Sequence, residues 1–172
     1  MQLKEPLRSS RITVRDYRAS DLPDILAMWF DEETGKYMID PSPEYVDASY
    51  RAALEELEDH PDGYYLTVTL ADSQEIVGTM CLFPDKEWKT FDIGYCVHKR
   101  LWRQGYGSEL IALAIDWVRA HGGREITAEV AKENTASNRL LRKFGFEPIR
   151  ETSFKKYNMD VHFDSYIYRL AL

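Results

Sequence analysis

Two periodicities of apolar residues alternate along the chain and predict a domain of mixed helices and strands. Alternation at Ile126, Ala128 and Val130 is typical of a strand with one buried face. Spacing of three or four residues, as between Tyr50 and Leu54, is typical of a helix with a buried stripe. The pattern predicts strands at about 11–17, 64–71, 76–83, 90–97, 124–131, 146–156 and 163–171. It predicts a short helix capped by Asp21, and further helices at about 43–58, 106–121 and 135–144.

This order of elements favours one α/β domain over residues 1–172, with helices on both faces of a mixed sheet. No repeat, low-complexity tract or interdomain linker interrupts the pattern. At this length a single domain buries a substantial core. The chain is therefore expected to be one folding unit.

A glycine-containing loop joins the strand at 90–97 to the helix at 106–121. Residues 102–108 read Trp-Arg-Gln-Gly-Tyr-Gly-Ser, and Gly105 and Gly107 permit a tight turn close to a ligand. The helix that follows offers free N–H groups and the positive end of its dipole, which favour a phosphate group. On the loop alone, a plain turn into the helix is an equally good interpretation.

Spacing argues against two familiar phosphate loops. The loop of nucleoside triphosphatases continues into Gly-Lys-Ser or Gly-Lys-Thr, and this chain contains neither tripeptide. The dinucleotide fingerprint has three glycines and an acidic residue after the next strand, whereas two glycines are present here. A different phosphate-bearing cofactor is therefore indicated.

A second motif makes the cofactor site more specific. Residues 134–146 read Asn-Thr-Ala-Ser-Asn-Arg-Leu-Leu-Arg-Lys-Phe-Gly-Phe, which predicts a helix capped by Asn134 and ended by Gly145. The loop and this helix, in this order, resemble the GNAT acyltransferases, in particular the branch of the RimJ and RimL protein N-terminal acetyltransferases. Trp102 departs from the Arg or Gln of the broad family but is usual in that branch. The resemblance covers nearly the whole chain.

The resemblance implies a fold and a cosubstrate. The fold is a GNAT-like mixed, mostly antiparallel central sheet flanked by helices and splayed between its fourth and fifth strands. The cosubstrate is acetyl-CoA, with its pantetheine arm inserted in the splay and its pyrophosphate on the loop amides. The residues implied to bind it are Cys96, Val97, Arg103, Gln104, Gly105, Tyr106, Gly107, Ser108 and Asn134. One amide near Cys96 and Val97 would polarise the thioester.

Acetyl transfer to an amine also needs a proton for the departing thiolate. Many family members supply it from a tyrosine on the fourth helix, at the position that is Leu141 here. We therefore predict Ser137, at the start of the same helix, as the proton donor. A serine that only starts the helix is the alternative interpretation.

Two carboxylates are candidates for the base that takes a proton from the amine. Glu129 lies off the apolar face of its strand and is the predicted base, with a solvated edge glutamate as the alternative. Asp92 is disfavoured, because alternation puts it on the opposite face from Tyr95. Loss of the proton to water, without any dedicated base, is a third interpretation.

The resemblance favours a protein or peptide N-terminus as the amine acceptor, with a small first residue such as Ser or Ala. Trp29, Tyr37 and Tyr95 are predicted to contact it, although aromatic residues at such positions often belong to the core. A small-molecule amine is an alternative acceptor. A catalytically weak CoA-binding sensor or partner module, and a protein that uses the loop for ATP or NAD, are the alternatives to an acetyltransferase.

Composition and charge set the remaining expectations. A net charge of −7 with scattered basic residues disfavours nucleic-acid binding. The 44% hydrophobic and 30% charged fractions are those of an ordinary globular protein, expected to be cytoplasmic and without a membrane partner. No His, Cys, Asp or Glu cluster has metal-ligand spacing, so no metal is expected. Monomer and homodimer both remain open.

Overall fold

The computed structural model describes residues 1–172, in which eight strands form one sheet with helices on both faces. The strands are β1 (Leu7–Arg8), β2 (Ile12–Asp16), β3 (Tyr64–Leu70), β4 (Ile76–Pro84), β5 (Thr90–Val97), β6 (Glu125–Ala131), β7 (Glu147–Lys155) and β8 (His162–Ala171). The helices are α1 (Leu22–Trp29), α2 (Ala48–Glu55), α3 (Tyr106–Ala120) and α4 (Thr135–Lys143). No helix has the length and apolar character needed to cross a membrane.

The strand order is β1-β2-β3-β4-β5-β6-β8-β7, and only β5 and β6 run parallel. The predicted mixed, mostly antiparallel sheet is therefore confirmed. The two-residue strand β1 was not predicted, because two residues carry no periodicity. It shifts the numbering, so that the fourth and fifth predicted strands are β5 and β6.

The second helix is shorter than the predicted 43–58. Pro43–Tyr45 forms a 3₁₀ turn, and Val46 is extended, with φ −72° and ψ 115°. The helix starts only after Asp47, whose carboxylate accepts a hydrogen bond from the Tyr50 amide at 2.8 Å. A side-chain cap of this kind fixes where a helix begins, and it overrides the longer apolar stripe.

The sequence predicted that the side chain of Asp21 caps α1, but the structure shows no such cap. Its carboxylate accepts hydrogen bonds from the Arg15 guanidinium at 2.6 and 2.9 Å, from Thr67 Oγ1 at 2.8 Å and from the Arg18 amide at 3.1 Å. Burial alone would raise the pKa of Asp21, but these donors outweigh it and lower the pKa below its usual range. The ion pair with Arg15 and the hydrogen bond from Thr67 thus tie β2 and β3 to the start of α1.

The two faces of the sheet carry different helices. On one face, Trp117 of α3 packs against Tyr64 and Phe91, with ring centroids 5.0 and 5.8 Å away. On the other face, Trp29 of α1 donates a hydrogen bond from Nε1 to Thr79 Oγ1 at 3.2 Å. Thr79 is the cross-strand partner of Cys96, so alternation places residues 92, 94 and 96 of β5 on the α1 face.

The pairing of β5 with β6 stops after three residue pairs. It runs from Thr90 opposite Glu125 to Asp92 opposite Thr127, whereas β5 continues to Val97 and β6 to Ala131. Beyond Asp92 the two strands have no ladder between them. The splay predicted between these strands is therefore present, and it opens a gap inside the sheet.

Candidate active site

The gap exposes main-chain groups of β5 that elsewhere would bond to a neighbouring strand. The carbonyl of Cys96 points towards β4, where a Cβ added to Gly78 would lie 2.4 Å from it. Main-chain groups of successive residues point to alternate edges of a strand, so those of Tyr95 and Val97 face the gap. Of the two residues predicted to hold a pantetheine arm, Val97 thus has its main chain at the gap. The main chain of Cys96 is turned to β4.

The predicted glycine loop enters α3 with the geometry that glycine allows. Gly105 precedes the helix in the left-handed region, at φ 90°. A Cβ at Gly107 would lie 3.0 Å from Leu140 Cδ2, so α3 and α4 approach closely at this point. No side chain caps the first turn of α3. Its amides therefore remain free to bind an anion.

An arginine from the far end of the sheet holds this loop in place. Arg11 donates to the Gln104 carbonyl at 3.0 Å and forms an ion pair with Glu109 at 2.5 Å. Its guanidinium also lies 4.2 Å from the ring centroid of Tyr106. The other end of the loop is tied to β5, because Trp102 Nε1 donates to the Val97 carbonyl at 2.7 Å. The loop is thus fixed at both ends.

A cationic side chain lies beside the free amides of α3, and a second cationic residue precedes them in the loop. Lys143, at the end of α4, donates from Nζ to Ser108 Oγ at 3.2 Å. Arg103 is exposed and has a positive φ of 60°. A phosphate at this helix end would therefore meet both main-chain donors and positive charge.

A pair of hydroxyl groups joins β5 to α4. The Tyr95 hydroxyl of β5 and Ser137 Oγ of α4 are 2.6 Å apart, and either atom can be the donor. Burial raises the pKa of Tyr95 to about 12, against the opposing effect of Ser137. The tyrosine therefore carries its proton at neutral pH. Asn134 caps α4 by accepting from the Ser137 amide at 3.2 Å, which fixes the serine and leaves the Asn134 amide NH₂ available.

A cavity of about 550 Å³ lies beside the gap, on the face that carries α1 and α2. Eighteen of its 23 lining residues are hydrophobic. They include Trp29, Tyr37 and Tyr95, the three residues that the sequence predicted to contact the acceptor. Three carboxylates, Asp40, Asp92 and Glu129, also line it, and no Lys, Arg or His does. The cavity is therefore apolar and negatively charged.

Asp92 and Glu129 are both in this cavity. Asp92 belongs to the last pair of the β5–β6 ladder and accepts a hydrogen bond from Thr127 Oγ1 at 2.7 Å. Glu129 accepts from Ser165 Oγ at 2.5 Å. Surrounding protein raises the pKa of Asp92, the Thr127 hydrogen bond lowers it, and the charge of Glu129 raises it further. The sequence argument against Asp92 assumed a site on the Tyr95 face, whereas the cavity lies on the Asp92 face.

A buried lysine holds one wall of the cavity. Lys156 donates from Nζ to the carbonyls of Gly35 and Asp40, each at 2.9 Å. The segment between them contributes Tyr37, Met38 and Ile39 to the cavity. Burial lowers the pKa of Lys156, while the Asp40 carboxylate opposes that shift. The wall is thus attached to the end of β7.

Comparison with known proteins identifies the family. The family model described as an acetyltransferase (GNAT) domain matches residues 11–147. The uncharacterized N-acetyltransferase p20 of Bacillus licheniformis is 28% identical over 148 residues, which are 83% of either chain. The protein therefore belongs to the GNAT acetyltransferases, and the predicted family is confirmed.

Two solved structures share the fold. One is described as RimL, a ribosomal L7/L12 alpha-N-protein acetyltransferase in complex with coenzyme A, with TM-score 0.78, 18% identity and 98% of each chain covered. The other is the spermidine N-acetyltransferase of Vibrio cholerae in complex with CoA and spermine, with TM-score 0.77 and 17% identity. It covers 95% of this chain and 96% of that one.

The protein is accordingly an acetyl-CoA-dependent N-acetyltransferase, as the sequence predicted. The residues present fit that cosubstrate. The uncapped amides of α3, with Lys143 and Arg103 beside them, suit a pyrophosphate. The main-chain groups of Tyr95 and the amide of Val97 suit an arm that replaces the missing ladder. The alternative of an ATP or NAD site does not account for this gap.

Sequence reasoning missed three side chains at the site and set a fourth aside. Arg11 and Lys156 act from more than 90 residues away in the chain and give no local signal. Lys143 falls inside the second motif, where its place at the end of a helix beside the loop could have been noticed. Asp92 was considered and set aside, and only the position of the cavity restores it.

Proposed function

We propose that the protein transfers the acetyl group of acetyl-CoA to the N-terminal amine of a peptide or protein. The observation that carries this proposal is the cavity beside the gap, which has three carboxylates and no basic residue in its lining. An ammonium group is attracted there, whereas the carboxylate of a free amino acid would find no partner. A peptide N-terminus presents the amine without that carboxylate. The similarity to RimL adds support from a protein described as acting on a protein N-terminus.

The carboxylates of the cavity prepare the amine. Asp92 stands where the gap opens, and its raised pKa makes it a better base than an ordinary aspartate. Glu129 contributes a second negative charge that favours binding of the ammonium form. In this proposal Asp92 takes the proton and the neutral amine attacks the thioester directly. Glu129, which the sequence predicted as the base, instead binds the ammonium group, and its negative charge raises the pKa of Asp92.

The opposite side of the gap completes the transfer. Main-chain groups of Tyr95 and Val97 hold the pantetheine arm and polarise the thioester carbonyl. As the new carbon–nitrogen bond forms and the carbon–sulfur bond breaks, the Tyr95–Ser137 pair supplies a proton to the sulfur. The tyrosine that the family places on its fourth helix is thus replaced by one on β5, coupled to the predicted Ser137.

The acceptor is tested by turnover. We expect thiol release from acetyl-CoA with short peptides that have a free N-terminus, and little release with free amino acids or spermidine. N-terminally blocked versions of the same peptides are the control, and they should be inactive. Turnover of small amines alone would replace this proposal with a small-molecule acetyltransferase. Binding of acetyl-CoA without turnover of any amine would instead indicate a CoA-binding module.

The hydroxyl pair is tested by Ser137→Ala, Tyr95→Phe and the double variant. Ser137→Ala should lower kcat about tenfold, equivalent to about 1.4 kcal/mol at the barrier, with acetyl-CoA affinity almost unchanged. Because the two hydroxyls act as one donor, the double variant should lose little more than the worse single variant. Unchanged kcat in Ser137→Ala, with stability reduced by about 1 kcal/mol, would mean that the hydrogen bond between Ser137 and Tyr95 is only structural.

The identity of the base is tested by the pH profile of kcat, measured at saturating acceptor, on its acidic side. Activity requires Asp92 deprotonated, so kcat falls as the pH drops through its pKa, which is above the usual range for aspartate. Glu129→Gln removes a like charge and should move the limb to lower pH. Thr127→Val removes a hydrogen bond to the carboxylate and should move it to higher pH. If neither substitution moves the acidic limb, Asp92 is not the base and the amine loses its proton to water.

A further inference from the structure

The lining of the cavity also specifies the side chain that accompanies the amine. We propose that the acceptor peptide begins with a large apolar residue such as Leu, Met or Phe, and not with Ser or Ala. This inference rests on the proposed function and narrows its substrate class. It departs from the small first residue that the RimJ/RimL resemblance favours.

The first argument is the chemistry of the walls. Aromatic residues from five parts of the fold converge on the cavity, among them Trp29, Tyr37, Tyr65, Phe83 and Phe154. Ile39 lines it as well and, at 62%, is the most exposed large hydrophobic residue of the protein. An apolar group that enters the cavity would cover these side chains. A Ser or Ala side chain would leave most of them in water.

The second argument is the arrangement of charge. The carboxylates Asp92 and Glu129 lie at the side of the cavity next to the gap, where the amine must react. The third carboxylate, Asp40, accepts a hydrogen bond from the Tyr50 hydroxyl at 2.7 Å, and the charge of the buried Lys156 acts on it. The part of the cavity away from the gap therefore attracts a second ammonium less strongly than the part beside Asp92 and Glu129. A cavity with one anionic end and one apolar end suits an amine with an apolar side chain better than a polyamine.

The third argument is size. A volume of about 550 Å³ lies within the range of cavities that hold small molecules, and it exceeds what one small residue fills. Each methylene buried in such a cavity favours binding by roughly fourfold. The step from Ala to Leu or Phe adds several carbon atoms. The wall formed by residues 37–39 is held by Lys156, so it is present before the acceptor binds.

Helix α2 offers a matched pair of variants for the test. Ala53 lines the cavity, whereas its neighbour Ala52 does not, and both are exposed on the same helix. Ala53→Phe therefore narrows the cavity, and Ala52→Phe adds the same side chain outside it. Because both positions are exposed, neither substitution requires the core to rearrange.

The experiment measures kcat/KM for peptides that differ only in their first residue. We expect Leu, Met and Phe to exceed Ser and Ala by at least about tenfold. Ala53→Phe should reduce kcat/KM for the large first residues by about tenfold or more, mainly through KM, while Ala52→Phe matches the unchanged protein. Leucinamide should react and free leucine should not, because only leucine carries a carboxylate.

The outcomes separate this inference from the proposed function. If Ser- or Ala-first peptides react as well as the large ones, the apolar preference is overturned and peptide acetylation stands. If Ala53→Phe and Ala52→Phe behave alike, the cavity is not where the first residue binds, and the inference is overturned. If no peptide reacts and a small amine does, both the inference and the proposed function are overturned.

Discussion

The end of the β5–β6 ladder at the Asp92–Thr127 pair is the constraint on which the rest of the site depends. A parallel pair that continued to Val97 would bond every main-chain group of β5 and close the sheet. Because the ladder stops, the main-chain groups of Tyr95 and the amide of Val97 have no strand partner on the gap side, and β5 becomes an edge inside the sheet. Unpaired edges seek partners. Here the arm of acetyl-CoA can be that partner.

The gap also separates two regions of opposite charge in a protein whose net charge is −7. On the cosubstrate side are the uncapped amides of α3, Arg103 and Lys143, which suit phosphate. On the acceptor side are Asp92 and Glu129, which suit an ammonium group. In the proposed reaction, the two substrates are therefore drawn to different sides of one strand. They meet at β5, where alternation puts the Asp92 carboxylate on one face and the Tyr95 hydroxyl on the other.

Local chemistry explains which features the sequence could predict. The glycine loop and the helix at 135–144 were recognisable because each is built from neighbouring residues with strong backbone preferences. The short start of α2 and the role of Asp21 were not, since a cap and an ion pair with Arg15 outweighed periodicity. The hydrogen bonds that Arg11 and Lys156 donate to distant carbonyls depend on how segments far apart in the chain pack together. The Tyr95–Ser137 pair required knowing the width of the gap, which no local pattern records.

The most direct test is whether binding of acetyl-CoA depends on the loop that precedes α3. Gly105 and Gly122 are both in the left-handed region, at φ 90° and 80°, and nothing lies within 4 Å of a Cβ at Gly122. Valine at either position imposes similar backbone strain, but only Gly105→Val disturbs the amides proposed to bind pyrophosphate.

Acetyl-CoA should raise the Tm of the unchanged protein and of Gly122→Val, because a ligand of the native state stabilises it by mass action. Gly105→Val should lose that rise, with affinity reduced at least about tenfold. An equal rise in both variants would contradict the assignment of the cosubstrate to this loop and gap.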